Sequence, residues 1–296
     1  RMVGNNSAPT VEQMGDLDAQ TEANRVPGAN AVTLLAGENQ NLTLSVSNIL
    51  VARGDTMLFA LVNNGSGVAK IETTRAVGPM QGNAVLNKTT YATIAAGLVA
   101  GLGDGDYSTD FATSTVDSFM EVDTTTLSAN ATAMALRFKN AAATTLTIDS
   151  GRTLNLPGSN GGNLGGILVT PGAGRVEIVG GALSPGLNQW LHIHQYSENP
   201  LLIGSLISHN SNSIIKDGDG ELIITNGANG YSTMRIGRGT VSVYELTNRT
   251  LASPLGLGTP ELADGTLRYL GEDVACDRMI ALRGAGTLDA SGAGTV

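Results

Sequence analysis

The stretch Lys216–Leu246, KDGDGELIITNGANGYSTMRIGRGTVSVYEL, decides the reading of this chain. It holds two short runs that each start after a glycine and alternate apolar with other residues. The first is Gly220-Glu221-Leu222-Ile223-Ile224 and the second Gly239-Thr240-Val241-Ser242-Val243. Alternation of period two between Gly and Asn punctuation is the mark of a strand with one buried face. The pattern then recurs as Gly174-Arg-Val176-Glu-Ile178, Gly265-Thr-Leu267-Arg-Tyr269 and Gly286-Thr-Leu288-Asp-Ala290, with a looser copy at Gly151-Arg-Thr-Leu154-Asn-Leu156. Successive starts lie 23, 46, 19, 26 and 21 residues apart, and the double step leaves room for a missing rung at Leu201–Ile207 (LLIGSLI). A short strand repeated on this scale is the signature of a solenoid, whose coils bury their apolar faces only by stacking. A β-sandwich would repeat every 8 to 12 residues without the longer self-similarity. Leu222, Ile224, Val241, Val243, Leu267 and Leu288 are expected to point inward, and Glu221, Ser242, Arg268 and Asp289 outward.

Composition agrees. Charged residues make up only 15% and aromatics 4%, while Gly numbers 39, so the core must come in thin layers of aliphatic side chains. A net charge of -9 argues against nucleic acid and against an anionic membrane surface. No apolar run is long enough to insert in a membrane. The single cysteine, Cys276, rules out an intrachain disulfide and reads as a buried coil residue rather than a nucleophile.

The order of the chain suggests three parts within one solenoid. Residues 1–74 carry N-terminal coils, although the first 30 are polar and read as corners or loop. Strands return in AVTLLAG, NLTLSVSNILVARG, DTMLFALVNNG and GVAKIETT. Residues 75–123 form an irregular insertion, in which YATIAAGLVA (91–100) reads as a short helix or a buried strand. Residues 124–296 resume the coils. The run around residue 296 shows no polar change of the kind that ends a solenoid, so the expectation is stacking on further copies of the repeat, or continuation of the polypeptide.

The segments GDGELIITNGANGYSTMRIGRGTVSVYEL and ASPLGLGTPELADGTLRYLG resemble the autotransporter-associated β-strand repeat. The likeness rests on Gly218, Gly220, Leu222, Ile224, Gly227, Ala228, Asn229, Tyr231, Gly239, Thr240, Val241, Val243, Leu257, Gly258, Gly265, Thr266 and Leu267. It departs from the pattern where Gly230 stands before Tyr231 and where Met234-Arg235-Ile236-Gly237 replaces the usual Gly-Gly-Thr-Thr. A weaker likeness reaches back to about residue 140. What the resemblance implies is a right-handed parallel β-helix, exported to the cell surface or the medium of a Gram-negative bacterium, with an adhesive or structural role. Its motif residues are fold residues and name no ligand.

Chemistry-bearing residues are few. Asp104, Asp106 and Asp110, with Ser108, alternate oxygen donors in GDGDYSTD, a spacing that suits calcium. The glycine and distal glutamate of a calcium-binding helix–loop–helix are replaced by Thr109 and Thr115, so a solvated loop is the plainer account. Asp217 and Asp219 fall on the repeat's corner glycines. His192 and His194 share one side of a strand and could hold zinc or copper, with His209 further on; an outward-facing pair beside Trp190 and Tyr196 is the plainer alternative. Solenoids also host polysaccharide-degrading enzymes, but the NTD, DD, GHG and RIK elements of those hydrolases are absent, and acidic residues are scattered singly. The sequence therefore reads as a non-enzymatic fibre or adhesin-stalk segment that needs no cofactor, with surface glycans as candidate ligands of the 101–120 loop or the His192/Tyr196 face.

Overall fold

The computed structural model describes residues 1–19, 29–52, 54–158, 164–186, 189–208 and 212–293. It divides into two compact units, Arg1–Gly105 and Asp106–Val296. Among the described residues the only helical segment is one 3-10 turn at Asp104–Asp106. In both units the sheets are built mainly of parallel strands, as stacked coils require.

In the second unit two long sheets face each other across one core. One runs through Tyr107–Ser108, Phe119–Glu121, Ala135–Phe138, Leu164–Val169, Trp190–Gln195, Ser213–Asp217, Thr233–Ile236, Glu261–Leu262 and Ala281–Leu282, every pair parallel. The other runs through Thr125–Leu127, Thr144–Asn155, Val176–Ser184, Leu201–Ile203, Glu221–Ile224, Thr240–Val243, Thr266–Tyr269 and Thr287–Asp289. Because register is kept from coil to coil, the inward side chains form columns. Val176, Leu201, Leu222, Val241, Leu267 and Leu288 make one; Met120, Leu136, Ile167, Ile193, Lys216, Ile236, Leu262 and Leu282 make another. Each fully buried aliphatic side chain stabilises by about 1.5–3 kcal/mol, so the columns, rather than any one residue, hold the unit together.

The glycine-led rungs at 220, 239, 265 and 286 stand in register, and Leu201–Ile203 supplies the missing rung. The glycines are needed because coil corners stack backbone on backbone. A Cβ on Gly239 would lie 2.4 Å from the Gly218 carbonyl oxygen, and its φ of +66° belongs to the left-handed region. Gly151 is different: it sits at a bend inside Thr144–Asn155, with φ of +72°, and the rung of that coil is Thr144–Ile148. Two inward–outward assignments change. Leu288 is in the inward column but 58% exposed, because no coil covers it among the described residues. Ser242 is outward but fully buried, its hydroxyl donating to the Glu221 carboxylate.

The first unit has the same plan. Met2–Val3, Ala29–Leu35, Thr56–Val62 and Ala84–Leu86 pair in parallel on one side, and Thr10–Met14, Leu42–Val46 and Ala69–Thr73 on the other. Within the polar start, Met2–Val3, Thr10–Met14 and Leu17–Ala19 are strand, largely exposed, and exposure removes the pressure to alternate. Corner asparagines tie coils 27 residues apart: the Asn41 carboxamide oxygen accepts from Val68 N and that of Asn39 from Ser66 N. Residues 91–100 are neither helix nor a single strand. Thr90–Ala95 and Leu98–Gly101 form an antiparallel hairpin that turns at Ala96 and Gly97, both at positive φ. Ala84–Leu86 pairs with this hairpin on one side and Glu72 opposes Leu98 on the other, so the meander links the two sides and closes the stack.

Candidate functional site

The loop after Tyr107 does not simply project. Phe111 turns back and packs on the core of the second unit. Tyr107 meets Phe119 edge-on, with the Arg137 guanidinium 3.6 Å from the Tyr107 ring centre. The turn that follows leaves a cleft of about 270 Å³ between 109–112 and 125–131. Its walls carry Thr109, Asp110, Thr125, Thr126, Ser128 and Asn130 around Phe111 and Leu127. Asp110 holds the loop: Oδ1 accepts from Ala112 N at 2.9 Å and Oδ2 from the Thr113 hydroxyl at 3.0 Å. Asp104 and Asp106 are exposed on the 3-10 turn. Among the described residues, no three His, Cys, Asp or Glu side chains are grouped so as to hold a metal ion.

His192 and His194 do share a side of their strand, opposite the core-facing Leu191 and Ile193. Both are fully buried rather than outward-exposed. Leu168 and Ile215 on the adjoining strands are buried on that side too, so this part of the sheet is buried on both sides, and an alternation rule for a half-buried strand misjudges it. His192 Nδ1 lies 3.3 Å from Gly165 O, and His194 stacks on Tyr196 with ring centres 6.4 Å apart. His194 is in register with Asp217. His209 lies outside the described residues. Cys276 is a free, half-buried thiol packed on the core.

Two cations that the sequence did not single out prove central. Lys216 occupies an inward column between Ile193 and Ile236, fully buried. Its Nζ donates to the carbonyls of Gly218, Gly220 (2.5 Å) and Arg238 (2.9 Å), so the corner of the repeat closes around it. Burial pushes the Lys216 ammonium down to about 7, against the pull of Asp217, Asp219 and Glu221. Arg278 reaches into the 247–258 loop and donates to the carbonyls of Thr247, Gly258, Asn248 and Leu251 and to the Thr247 hydroxyl, at 2.9–3.2 Å. The only sequence signal was position: Lys216 lies two residues after core Ile214, and Arg278 interrupts an apolar run.

Neighbouring coils are also joined by ion pairs. Glu261 accepts from Arg235 at 2.6 Å and from Arg283 at 2.9 Å. Burial raises its pKa, but the two guanidiniums outweigh that and hold the carboxyl below the usual range. Arg268 binds Asp289 at 2.7 Å, and hydrogen bonds from Ser291 and Arg268 hold Asp289 at about 2. Beyond these pairs lies the last described coil edge, Ala281–Leu282 and Thr287–Asp289. There Leu282 is 63% exposed, although every member of its column from Met120 to Leu262 is buried.

These features describe a scaffold whose most distinctive surface is a hydroxyl-lined cleft. No family model matches the chain, and no solved structure does. The sequence is 27% identical, over 319 aligned residues, to the adhesin BmaC autotransporter of Brucella suis biovar 1 (strain 1330). That alignment takes in 99% of this chain and spans 9% of the relative's length, so what the chain is similar to is one stretch of a much larger autotransporter adhesin.

Proposed function

We propose that this chain is a surface-displayed or secreted stalk segment of an adhesin-type passenger, whose coils hold a fixed scaffold and continue by stacking on further coils. The observation that carries this reading is the register of two inward columns, Val176 to Leu267 and Met120 to Leu262, kept from coil to coil, so that each coil buries its apolar side chains on its neighbours. The relative's name as an autotransporter adhesin supports placement outside the cell and a non-catalytic role. The test is made on cells that express the parent polypeptide. Antibodies against residues 1–296 should label intact cells, and in-frame removal of residues 213–293 should lower adherence while leaving the remaining coils folded. Absence of surface label sinks the proposal.

A second reading, a neutral saccharide bound in the 109–112/125–131 cleft, is favoured by its hydroxyl and carboxamide walls beside Phe111. Glycan-array binding that disappears on Asp110→Ala would support it, and an array without signal would dismiss it.

A further inference from the structure

The cleft between 109–112 and 125–131 has one polar group whose direction is fixed. Asn130, exposed on its wall, is pinned by the neighbouring coil: its Oδ1 accepts from Thr153 N at 2.9 Å. A backbone N–H only donates, so the carboxamide oxygen belongs to Thr153, and Nδ2 keeps two donor hydrogens with no partner among the described residues. Asp110 on the opposite wall is already engaged, since both of its carboxylate oxygens accept from its own loop. No Lys, Arg or His lines the cleft among the described residues. On the side of Asn130 the wall is apolar at Leu127, Ala129 and Ala131, and Phe111 lines the 109–112 side.

From this arrangement we infer that the cleft takes a neutral sugar bearing an acetamido group, whose carbonyl oxygen accepts from Asn130 Nδ2 and whose methyl lies on Ala129 and Ala131. The inference rests on the saccharide reading above and narrows it to N-acetylated hexosamines. An acetamido group offers one acceptor beside one methyl, the complement of a carboxamide donor beside alanines. A ring hydroxyl in that place would meet the donor but leave the alanine wall facing water. A sugar acid would bring its carboxylate toward Asp110 with no cation in the wall to offset the repulsion, which selects against it. Because the neighbouring coil already holds the Asn130 carboxamide, little side-chain freedom is lost when the ligand arrives. A volume of about 270 Å³ is small for a ligand cleft and suits one sugar ring rather than a long chain.

The experiment uses the whole 296-residue chain. It is titrated by calorimetry and ligand-observed NMR with the methyl glycosides of N-acetylglucosamine, N-acetylgalactosamine, glucose, galactose and glucuronic acid. Wild type should bind at least one N-acetylated sugar about tenfold more tightly than its parent hexose, the scale of one added hydrogen bond, and should not bind the glucuronide. Asn130→Asp keeps the oxygen that Thr153 N needs and removes the donor, so it should abolish that preference with the thermal midpoint unchanged. Nuclear Overhauser contacts from the acetyl methyl to the Ala129 and Ala131 methyls test the pose on wild type, with no variant involved. Equal affinity for the acetylated and parent sugars overturns the inference and leaves the saccharide reading in place. A preference that survives Asn130→Asp, or a bound sugar whose methyl touches neither alanine, does the same. Absence of binding to every sugar removes both.

Discussion

Replacing Arg278 by alanine should unfasten the last described coil and leave the others in place. Arg278 is 8% exposed, and its guanidinium serves four carbonyls and one hydroxyl of the 247–258 loop. Hydrogen bonds to a charged donor contribute about 1.5–3 kcal/mol each. Removing the cation also removes its desolvation cost, so the contributions do not simply add. Each buried carbonyl left without a donor costs about 1–3 kcal/mol, and with water reaching some of them we expect about 3–5 kcal/mol in all. At roughly 2–4 °C per kcal/mol for a unit of this size, a shared cooperative transition would fall by roughly 6–20 °C. A solenoid, however, is stabilised coil by coil through nearest neighbours. Hydrogen exchange followed by mass spectrometry should therefore show protection lost across 247–293 and kept across 144–224. Arg278→Lys, a single point donor in place of a planar fork, should recover less than half of the loss. An unchanged thermal midpoint with unchanged exchange at 247–258 would refute the role of Arg278. A loss spread evenly over the whole second unit would refute the coil-by-coil argument instead.

Three further outcomes are expected. Gly239→Ala should cost about 2–4 kcal/mol in urea unfolding, from left-handed strain and from contact with the Gly218 carbonyl; Gly105→Ala, whose Cβ would meet nothing within 4 Å, is the control. Lys216 loses its proton near pH 7 when folded but near 10.5 when unfolded, so the unfolded chain binds more protons between those values. Wild type should gain stability relative to Lys216→Met as pH rises through that window, and a flat or falling difference in parallel urea titrations would contradict it. Treatment with EDTA should leave the thermal midpoint unchanged; a drop restored by calcium would promote Asp104, Asp106 and Asp110 to a structural metal site.

The stacked rungs were legible in the sequence because the glycines that begin them answer to a local demand, close passage of one backbone over the next. Leu222, Val241 and Leu267 alternate for the same local reason. Residues 1–19 were harder to read: an exposed strand in which Glu12 stands in register with inward Leu44 carries no alternation. Ser242, Lys216 and Arg278 are buried through bonds to partners that lie 2 to 31 positions away along the chain. Residue type alone cannot show such partners. The cleft was foreseen only as a loop. Its wall at 125–131 comes from the first rung of the facing sheet, and nothing in GDGDYSTD specifies that approach.

The antiparallel meander of the first unit bears on the order in which that unit assembles. Its hairpin, Thr90–Ala95 with Leu98–Gly101, closes over a two-residue turn and belongs to the class of events that take about 1–10 μs. The parallel pairs Leu42–Ala69 and Ala29–Thr56 must instead bring together residues 27 apart before any ladder bond rewards them. The hairpin is therefore the cheapest nucleus available. Once formed, it offers one edge through Ala84–Leu86 to Thr56–Val62 and another through Leu98 to Ala69–Thr73. A slip of one residue at either edge would turn the inward side chains out, so the hairpin also fixes the register of everything added to it. The expected order of assembly then runs from residue 73 back toward residue 2, against the direction of synthesis, and pulse-labelling hydrogen exchange should show Thr90–Gly101 protected before Thr10–Met14.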